Sequence, residues 1–405
     1  MSYAINSKAF LKTFKETLIA FSFDAGGLLA GFFVALQLGV FQLSPWAIAM
    51  YPVIVSAKGV IGGLLSGRLS TALHIGTIYP RFFKNTESFY RLYAALIAIT
   101  FATSIVMSIF SLIFGLLFWG ISLADFPAIL VVVIATMTLG LAITLITMMV
   151  AFVTFKKGIA PDVVIYPIMS TTADIIITIF YVFVLTLFFI SGEFGVYALL
   201  FIALIPVVLI VYIIPRNIHN KEFIKTVKES LFTMLFVAII VNVTGTVLKR
   251  ISNIVEGRRE IYTVYPALID LVGDVGSVVG STATTKLALG MLKSSMSSIK
   301  QHSTQIFSAW LASILYFVLL GILSLSLNGI FSLFAFLGLI LVLLLANVIA
   351  VTAIILVSYA ISILTFQKGL DPDNFVIPIE SSFADSMTSI ALLVALFLVG
   401  FLLGG

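Results

Sequence analysis

The chain has 405 residues, of which 61% are hydrophobic and 10% are charged, and its formal net charge is +5. These values exclude a soluble globular domain, because too few polar residues are present to cover its surface. Several apolar runs exceed the roughly 18 residues that span a bilayer as a helix, whereas the short alternating strands of an outer-membrane barrel are not found. The absence of cysteine excludes disulfides and thiolate metal sites. We therefore expect an all-α polytopic membrane protein.

About eleven membrane spans are predicted, each near or above the roughly 20 residues that a helix needs. In chain order they cover about 17–43, 46–79, 90–120, 125–154, 162–190, 195–214, 228–249, 261–291, 303–329, 331–365 and 372–403. Lys and Arg are concentrated in alternate connections, which is typical of cytoplasmic loops and less suggestive of nucleic-acid binding. This predicts the plasma (cytoplasmic) membrane, a cytoplasmic N-terminus and an outside C-terminus. The basic segment from Leu248 to Glu260 is an exception, because it falls on the outer side.

An internal repeat organises the chain. The sequence TFKKGIAPDVVIYPIMSTTAD, ending at Asp174, aligns without gaps with TFQKGLDPDNFVIPIESSFAD, ending at Asp385. A second gapless pair begins at Tyr51 and Tyr265. We predict a five-helix repeat in 1–192, a linker helix and connection in 193–227, and a second five-helix repeat in 228–405. Five spans plus one linker give both repeats the same orientation, so we expect a pseudo-two-fold axis along the membrane normal.

Asp174 and Asp385 are acids within apolar spans, at matching depth in the two repeats. Asp174 lies about twelve residues into its span, or roughly 18 Å deep, where a carboxylate costs a few kcal/mol if it faces lipid. If the pseudo-two-fold axis brings the two carboxylates together, a hard divalent cation would satisfy both, and Mg²⁺ favours such oxygen ligands. Ser170 and Ser381 precede the acids by one helical turn, so their hydroxyls or carbonyls are candidate ligands too.

The second span of each repeat is rich in glycine and charge. In the first repeat it reads SAKGVIGGLLSGRLST and contains Lys58 and Arg68. Its counterpart contains Asp270 and Asp274, which are four residues apart and therefore share a helix face. Both acids are candidate metal ligands. The alternative is structural: Lys58 pairs with Asp270 or Asp274, or the two bases pair with the last-span aspartates, and the glycines pack helices closely.

Other polar residues give weaker signals. Asp24 and Asn242, in the first spans of the two halves, are either vestibule ligands or polar packing contacts. Glu380 is a further acid that one half alone contains. No histidine has a second histidine at metal-binding spacing, so we expect the histidines to be solvated or interfacial. Walker, dinucleotide-binding and metalloprotease motifs and the nucleophile elbow are not found, so we expect neither an enzyme nor an ATP-driven pump.

Two motifs carry a family resemblance. SAKGVIGGLLSGRLSTA, from Ser56 to Ala72, resembles a stretch of the animal magnesium transporters of solute carrier family 41. The sequences PDVVIYPIMSTTADIIITI and PDNFVIPIESSFADSMTSI resemble the last-span motif shared by that family and bacterial MgtE. The resemblance implies a Mg²⁺ pore at the interface of two five-helix units, with Asp174 and Asp385 as ion ligands. One chain would then do the work of an MgtE dimer, which is consistent with a monomer.

The chain also departs from this family pattern. Val60 stands where the family motif has Asn, and Asp274 takes the matching place in the second half, so symmetric coordination by the second spans is in question. Only about sixteen residues precede the first predicted span, so the sensor domain of MgtE is not expected, and a separate soluble partner could supply regulation instead.

Three functions remain open at this point. The first is a channel or transporter for divalent cations, chiefly Mg²⁺. The second is a secondary transporter of another solute that uses the intramembrane acids for Na⁺ or H⁺ coupling. The third is a membrane scaffold in which the acids pair with Lys58 and Arg68. The partners expected for the first function are the lipid bilayer and the transported cations.

Overall fold

A computed structural model describes residues 7–157, 161–255, 257–368 and 372–403. All regular elements within these ranges are helices. Eleven helical segments of the described chain are long and apolar enough to cross a membrane. The prediction of an all-α polytopic membrane protein with about eleven spans is therefore confirmed.

Thirteen α-helices are numbered here in chain order. They are α1 (Ser7–Phe21), α2 (Gly27–Leu36), α3 (Leu38–Phe41), α4 (Pro45–Ile75), α5 (Glu87–Phe114), α6 (Phe126–Lys156), α7 (Pro161–Phe189), α8 (Gly192–Asn217), α9 (Lys221–Val255), α10 (Arg259–Ala288), α11 (Ser303–Leu327), α12 (Leu333–Gln367) and α13 (Pro372–Leu403). Short 3₁₀ turns cover Asp24–Gly26, Leu123–Asp125 and Met296–His302, and a π-helical turn covers Gly115–Trp119.

Two predicted boundaries differ from the structure in an informative way. The first span is not one continuous helix, because α1 and α2 are separated by the 3₁₀ turn Asp24–Gly26. The basic segment from Leu248 to Glu260 is mostly helical, since α9 runs to Val255 and α10 starts at Arg259.

Two of the basic side chains of that segment have partners within the protein. Lys249 donates to the main-chain carbonyl of Trp119. The Nε atom of Arg258 lies 2.7 Å from Oε1 of Glu260, a buried acid. Protein contacts thus satisfy two of the charges that the distribution of Lys and Arg places unexpectedly on the outer side.

The helices form two compact units that do not follow the order of the chain. The terminal unit comprises Met1–Leu36 together with Arg250–Gly405, and the central unit comprises Gln37–Lys249. Helices α1 and α2, which the repeat assigns to the first half, therefore belong to the unit that holds α10 to α13. Most of α9, which the repeat assigns to the second half, belongs to the unit that holds α4 to α8.

Helix α10 lies at the centre of the terminal unit, where it packs against α2, α11, α12 and α13. Helix α2 approaches α10 through glycine. A Cβ atom at Gly27 would lie 2.9 Å from Cα of Ala267, and a Cβ atom at Gly31 would overlap the carbonyl oxygen of Thr263. Helix α1 packs along α11, where the hydroxyl of Tyr316 donates to the carbonyl of Leu18 at 2.8 Å.

In the central unit, α4, α6 and α7 pack against one another, and α9 is held by close polar contacts. A Cβ atom at Gly245 of α9 would overlap the carbonyl oxygen of Ala49. The hydroxyl of Ser111 donates to Oδ1 of Asn242 at 2.8 Å. Asn242 is fully buried, so of the two roles that the sequence left open, the structure supports the polar packing contact.

Candidate functional site

The two last-span acids occupy equivalent places in separate units. Asp174 is on α7 in the central unit and is 7% exposed, and Asp385 is on α13 in the terminal unit and is 8% exposed. Both α7 and α13 contain a segment apolar enough to span a membrane. The two carboxyl groups are therefore buried within spanning helices, as their sequence positions predict.

A buried hydrogen-bond chain fixes the helical turn that starts at Asp174. The hydroxyl of Thr178 donates to the main-chain carbonyl of Asp174 at 2.6 Å. The hydroxyl of Tyr51, on α4, lies 3.1 Å from the Thr178 oxygen. Because Thr178 has a single hydroxyl proton and gives it to the carbonyl, Tyr51 is the donor in the second contact. This chain attaches α7 to α4 beside the acid.

The same chain occurs at Asp385. The hydroxyl of Ser389 donates to the carbonyl of Asp385 at 2.7 Å, and the hydroxyl of Tyr265 on α10 lies 2.7 Å from the Ser389 oxygen. Tyr265 is the repeat counterpart of Tyr51. Both repeats therefore hold the last-span acid against the second span by the same tyrosine–hydroxyl–carbonyl arrangement.

The remaining predicted ligands are divided between the units. Ser170 is half-buried on α7, whereas Ser381 is exposed on α13. Asp270 and Asp274 are half-buried on α10, in the same unit as Asp385. The structure thus groups three predicted acidic ligands in the terminal unit and leaves Asp174 in the central unit.

Two further acids lie near α10 in the terminal unit. Asp24, in the 3₁₀ turn between α1 and α2, is 5% exposed, and its Oδ2 atom has no hydrogen-bond partner among the described residues. Its carboxyl group is close enough to Asp270 and Asp274 for electrostatic repulsion. Glu380 is buried, accepts a hydrogen bond from Ser358 at 2.7 Å and is repelled by Asp274.

The central unit holds a buried base instead. Lys58, on α4, is 2% exposed, and its Nζ atom has no hydrogen-bond partner in the described part of the chain. The ammonium group is attracted electrostatically to Asp174. Arg68, the other base of that helix, contacts the hydroxyl of Thr226 at 2.5 Å and the carboxylate of Glu229 at 3.7 Å. The sequence suggested that Lys58 or Arg68 could pair with a last-span acid. The structure supports this alternative for Lys58 and Asp174.

The glycines of the two second spans serve different purposes. At Gly59, Gly63 and Gly67 of α4, a Cβ atom would meet nothing within 4 Å among the described residues. At Gly276 of α10, a Cβ atom would overlap the carboxylate of Glu380. The close approach of Glu380 to α10 thus requires glycine at position 276. The three α4 glycines face open space within their unit.

His302 corrects one expectation from the sequence. It was expected to be solvated or interfacial, yet it is fully buried in the terminal unit. Its Nε2 atom lies 3.1 Å from the hydroxyl of Thr282 and 3.2 Å from the carbonyl of Val279. The ring therefore joins the segment before α11 to α10.

The described residues contain no group of three or more His, Cys, Asp or Glu side chains arranged to hold a metal ion. A closed cage of protein ligands is therefore not present in this part of the chain. One or two carboxylates are still sufficient for Mg²⁺, which loses water reluctantly and usually keeps several water ligands.

Comparison with protein-family models gives a match to MgtE, described as a divalent cation transporter, at residues 51–184 and 265–395. These two regions together cover more than half of the chain, and they contain both hydrogen-bond chains described above. Comparison with curated proteins and with solved structures gave no match.

Proposed function

Because the chain belongs to the MgtE family of divalent cation transporters, we propose that it carries Mg²⁺ across a membrane and that Asp174 and Asp385 are the principal ligands along the path. The supporting observation is the hydrogen-bond chain that holds each of these acids in the same way in both repeats. The surrounding residues differ between the two repeats. The aspartate, the tyrosine and the hydroxyl that links them are present in both.

The choice of Mg²⁺ rests on the chemistry of the candidate ligands. Carboxylates, hydroxyls and carbonyls are hard oxygen donors, which suit Mg²⁺ better than the softer transition metals. Ser170 and Ser381 are proposed to contact the ion or its water shell at the last-span acids, and Asp270 and Asp274 to contact it at another position along the path. The cation is the cargo here, so each ligand must bind it weakly enough to release it.

The position of the path and the topology remain proposals from the sequence. The division into repeats at 1–192 and 228–405, with the linker 193–227, favours a path where the two repeats meet. The distribution of Lys and Arg favours the plasma membrane, with a cytoplasmic N-terminus and an outside C-terminus. One chain with two repeats is proposed to work as a monomer, with any regulation coming from a separate soluble partner.

The direct test is Mg²⁺ uptake into proteoliposomes that contain a Mg²⁺-sensitive dye. We expect flux with the native chain and flux at the level of empty liposomes with the Asp174→Asn, Asp385→Asn double variant. The matched control is the Glu16→Gln, Glu193→Gln double variant, which removes the same charge from two exposed positions.

Three outcomes separate the proposals. Wild-type flux through a folded Asp174→Asn, Asp385→Asn variant would remove these two acids from the path. Loss of flux in both double variants would indicate a general effect of charge. Absence of Mg²⁺ flux in the native chain, together with uptake driven by a Na⁺ or pH gradient, would favour the alternative of a coupled transporter for another solute.

A further inference from the structure

We infer that Asp24, Asp270 and Asp274 form an additional binding site for a hydrated divalent cation in the terminal unit, distinct from the last-span acids. The inference rests on the proposed function, because it assigns a second binding position for the same cargo. It makes the broken first span a part of the transport machinery, with Asp24 as a ligand to the ion or to its water shell.

The packing register places Asp24 at the level of the two acids of α10. In the described part of the chain, the three carboxylates do not converge into a set that could hold a bare metal ion, so the site is proposed for a cation that keeps its water shell. Gly27 lies against Ala267, and Gly31 lies against Thr263. The partner residue number decreases as the α2 number increases, so α2 and α10 are antiparallel. Continuing this register by about one turn towards the start of α2 brings Asp24 level with Asp270. The 3₁₀ turn Asp24–Gly26 itself packs against α10, which agrees with this placement.

The Asp24 carboxylate is buried beside two further acids, which creates a local demand for positive charge. Its Oδ2 atom is buried without a hydrogen-bond partner among the described residues. A buried carboxylate without a partner costs several kcal/mol, and like charges at Asp270 and Asp274 increase this cost. The sequence of α10 has no Lys or Arg between Arg259 and Lys286. A divalent cation supplies the missing charge.

The backbone at Asp24 also fits a cation site. Main-chain hydrogen bonds at Ser22, Phe23 and Gly26 join residues three apart instead of four. A broken helix within a membrane is tolerated where it is buried in protein or lines a water-filled cavity. Asp270 and Asp274 on the facing helix are half-buried, so neither side chain is fully enclosed by the described residues.

The first repeat cannot build an equivalent site. In the alignment that begins at Tyr51 and Tyr265, Ser56 and Val60 stand at the places of Asp270 and Asp274. Between these two positions, α4 carries the buried ammonium of Lys58. We therefore expect one such site per chain, although the chain contains two repeats.

Equilibrium binding of Mn²⁺ to the purified full chain tests the inference, with free Mn²⁺ followed by its EPR signal. We expect Asp24→Asn to remove one bound ion, or to weaken its binding about 10- to 100-fold as for the loss of an outer-shell ligand. The Asp174→Asn, Asp385→Asn variant should keep that ion, and Glu193→Gln should bind as the wild type does. Asp274→Asn is a second variant of the same site, and it should weaken the same ion.

Thermal unfolding separates a ligand from a structural side chain. Without divalent cations, Asp24→Asn should be at least as stable as the wild type, because it relieves repulsion among buried carboxylates. With Mn²⁺ it should gain less stability than the wild type, since a ligand that binds the folded state raises its stability. Equal Mn²⁺ binding by the wild type, Asp24→Asn and Asp274→Asn would overturn the inference. Equal destabilisation of Asp24→Asn with and without Mn²⁺ would also overturn it. Neither result depends on flux, so the proposed function is tested separately.

Discussion

The hydroxyl of Tyr51 donates to the hydroxyl of Thr178 across 3.1 Å, and this contact joins α4 to α7 one turn after Asp174. The hydroxyl of Thr178 in turn donates to the main-chain carbonyl of Asp174. The position of the acid therefore depends on a phenol from another helix. Tyr265 restrains the backbone at Asp385 in the same way, because its hydroxyl contacts Ser389, which donates to the carbonyl of Asp385. The backbone that carries each acid is therefore restrained by a tyrosine hydroxyl from a neighbouring helix.

Replacing either tyrosine by phenylalanine should loosen this restraint. Each of Tyr51→Phe and Tyr265→Phe removes one buried hydrogen bond, which costs about 1 kcal/mol. We expect a lower Tm in detergent and a lower Mg²⁺ flux, because the acid is held less firmly. Tyr197→Phe, at an exposed position on α8, is the control and should change neither quantity. Unchanged flux in both phenylalanine variants would show that the hydrogen-bond chain stabilises the fold without positioning the acids.

The sequence was sufficient to predict the helices and the place of the last-span acids. Long apolar runs and the internal repeat carry that information directly, because a spanning helix must be apolar along most of its length. The exchange of first spans between the compact units was not predicted. Helices that are apolar all round give no indication of which neighbour they will contact, and the significance of Gly31 and Gly245 appears only when Thr263 and Ala49 are seen opposite them.

The same limit applies to the polar residues. In the sequence, Asp24 and Asn242 are both single polar residues within apolar first spans, so the same two roles are predicted for each. The structure separates them, because Asn242 is hydrogen-bonded to Ser111, while one Asp24 oxygen has no such partner among the described residues. A side chain's partners come from distant parts of the chain, and spacing along the sequence does not identify them.

The close approaches of the first spans predict how glycine substitutions will behave. Gly31→Ala and Gly245→Ala each introduce a methyl group that overlaps a main-chain carbonyl oxygen. We expect each to destabilise the protein by about 1–3 kcal/mol, as for overpacking in a core. Gly63→Ala, which meets nothing within 4 Å in the described chain, should be neutral or stabilise by up to about 1 kcal/mol. Thermal unfolding of the three variants checks this order, and similar Tm values for all three would contradict the packing described here.

Lys58 should weaken cation binding at Asp174. Its buried ammonium is attracted to that carboxylate and so competes with a transported cation for the same negative charge. Lys58→Met keeps most of the side-chain volume and removes the competitor, so half-maximal Mg²⁺ flux should occur at a lower Mg²⁺ concentration. Lys156→Met removes an exposed charge at the end of α6 and should leave that concentration unchanged. A higher concentration for half-maximal flux in Lys58→Met would mean that the lysine assists binding.

Gly276 should be sensitive to a single methyl group because Glu380 occupies the space beside it. A Cβ atom at position 276 would overlap Oε1 of Glu380 and lie 2.8 Å from the hydroxyl of Ser358, so Gly276→Ala should break the hydrogen bond between those two side chains. We expect a loss of about 1–3 kcal/mol in stability, since a buried acid then lacks its donor. Gly273→Ala is the matched control one turn away, where the nearest atom, Cβ of Ala384, would be 3.7 Å from the new methyl group. The comparison is made by thermal unfolding, and equal Tm values for the two variants would mean that Glu380 can move aside without cost.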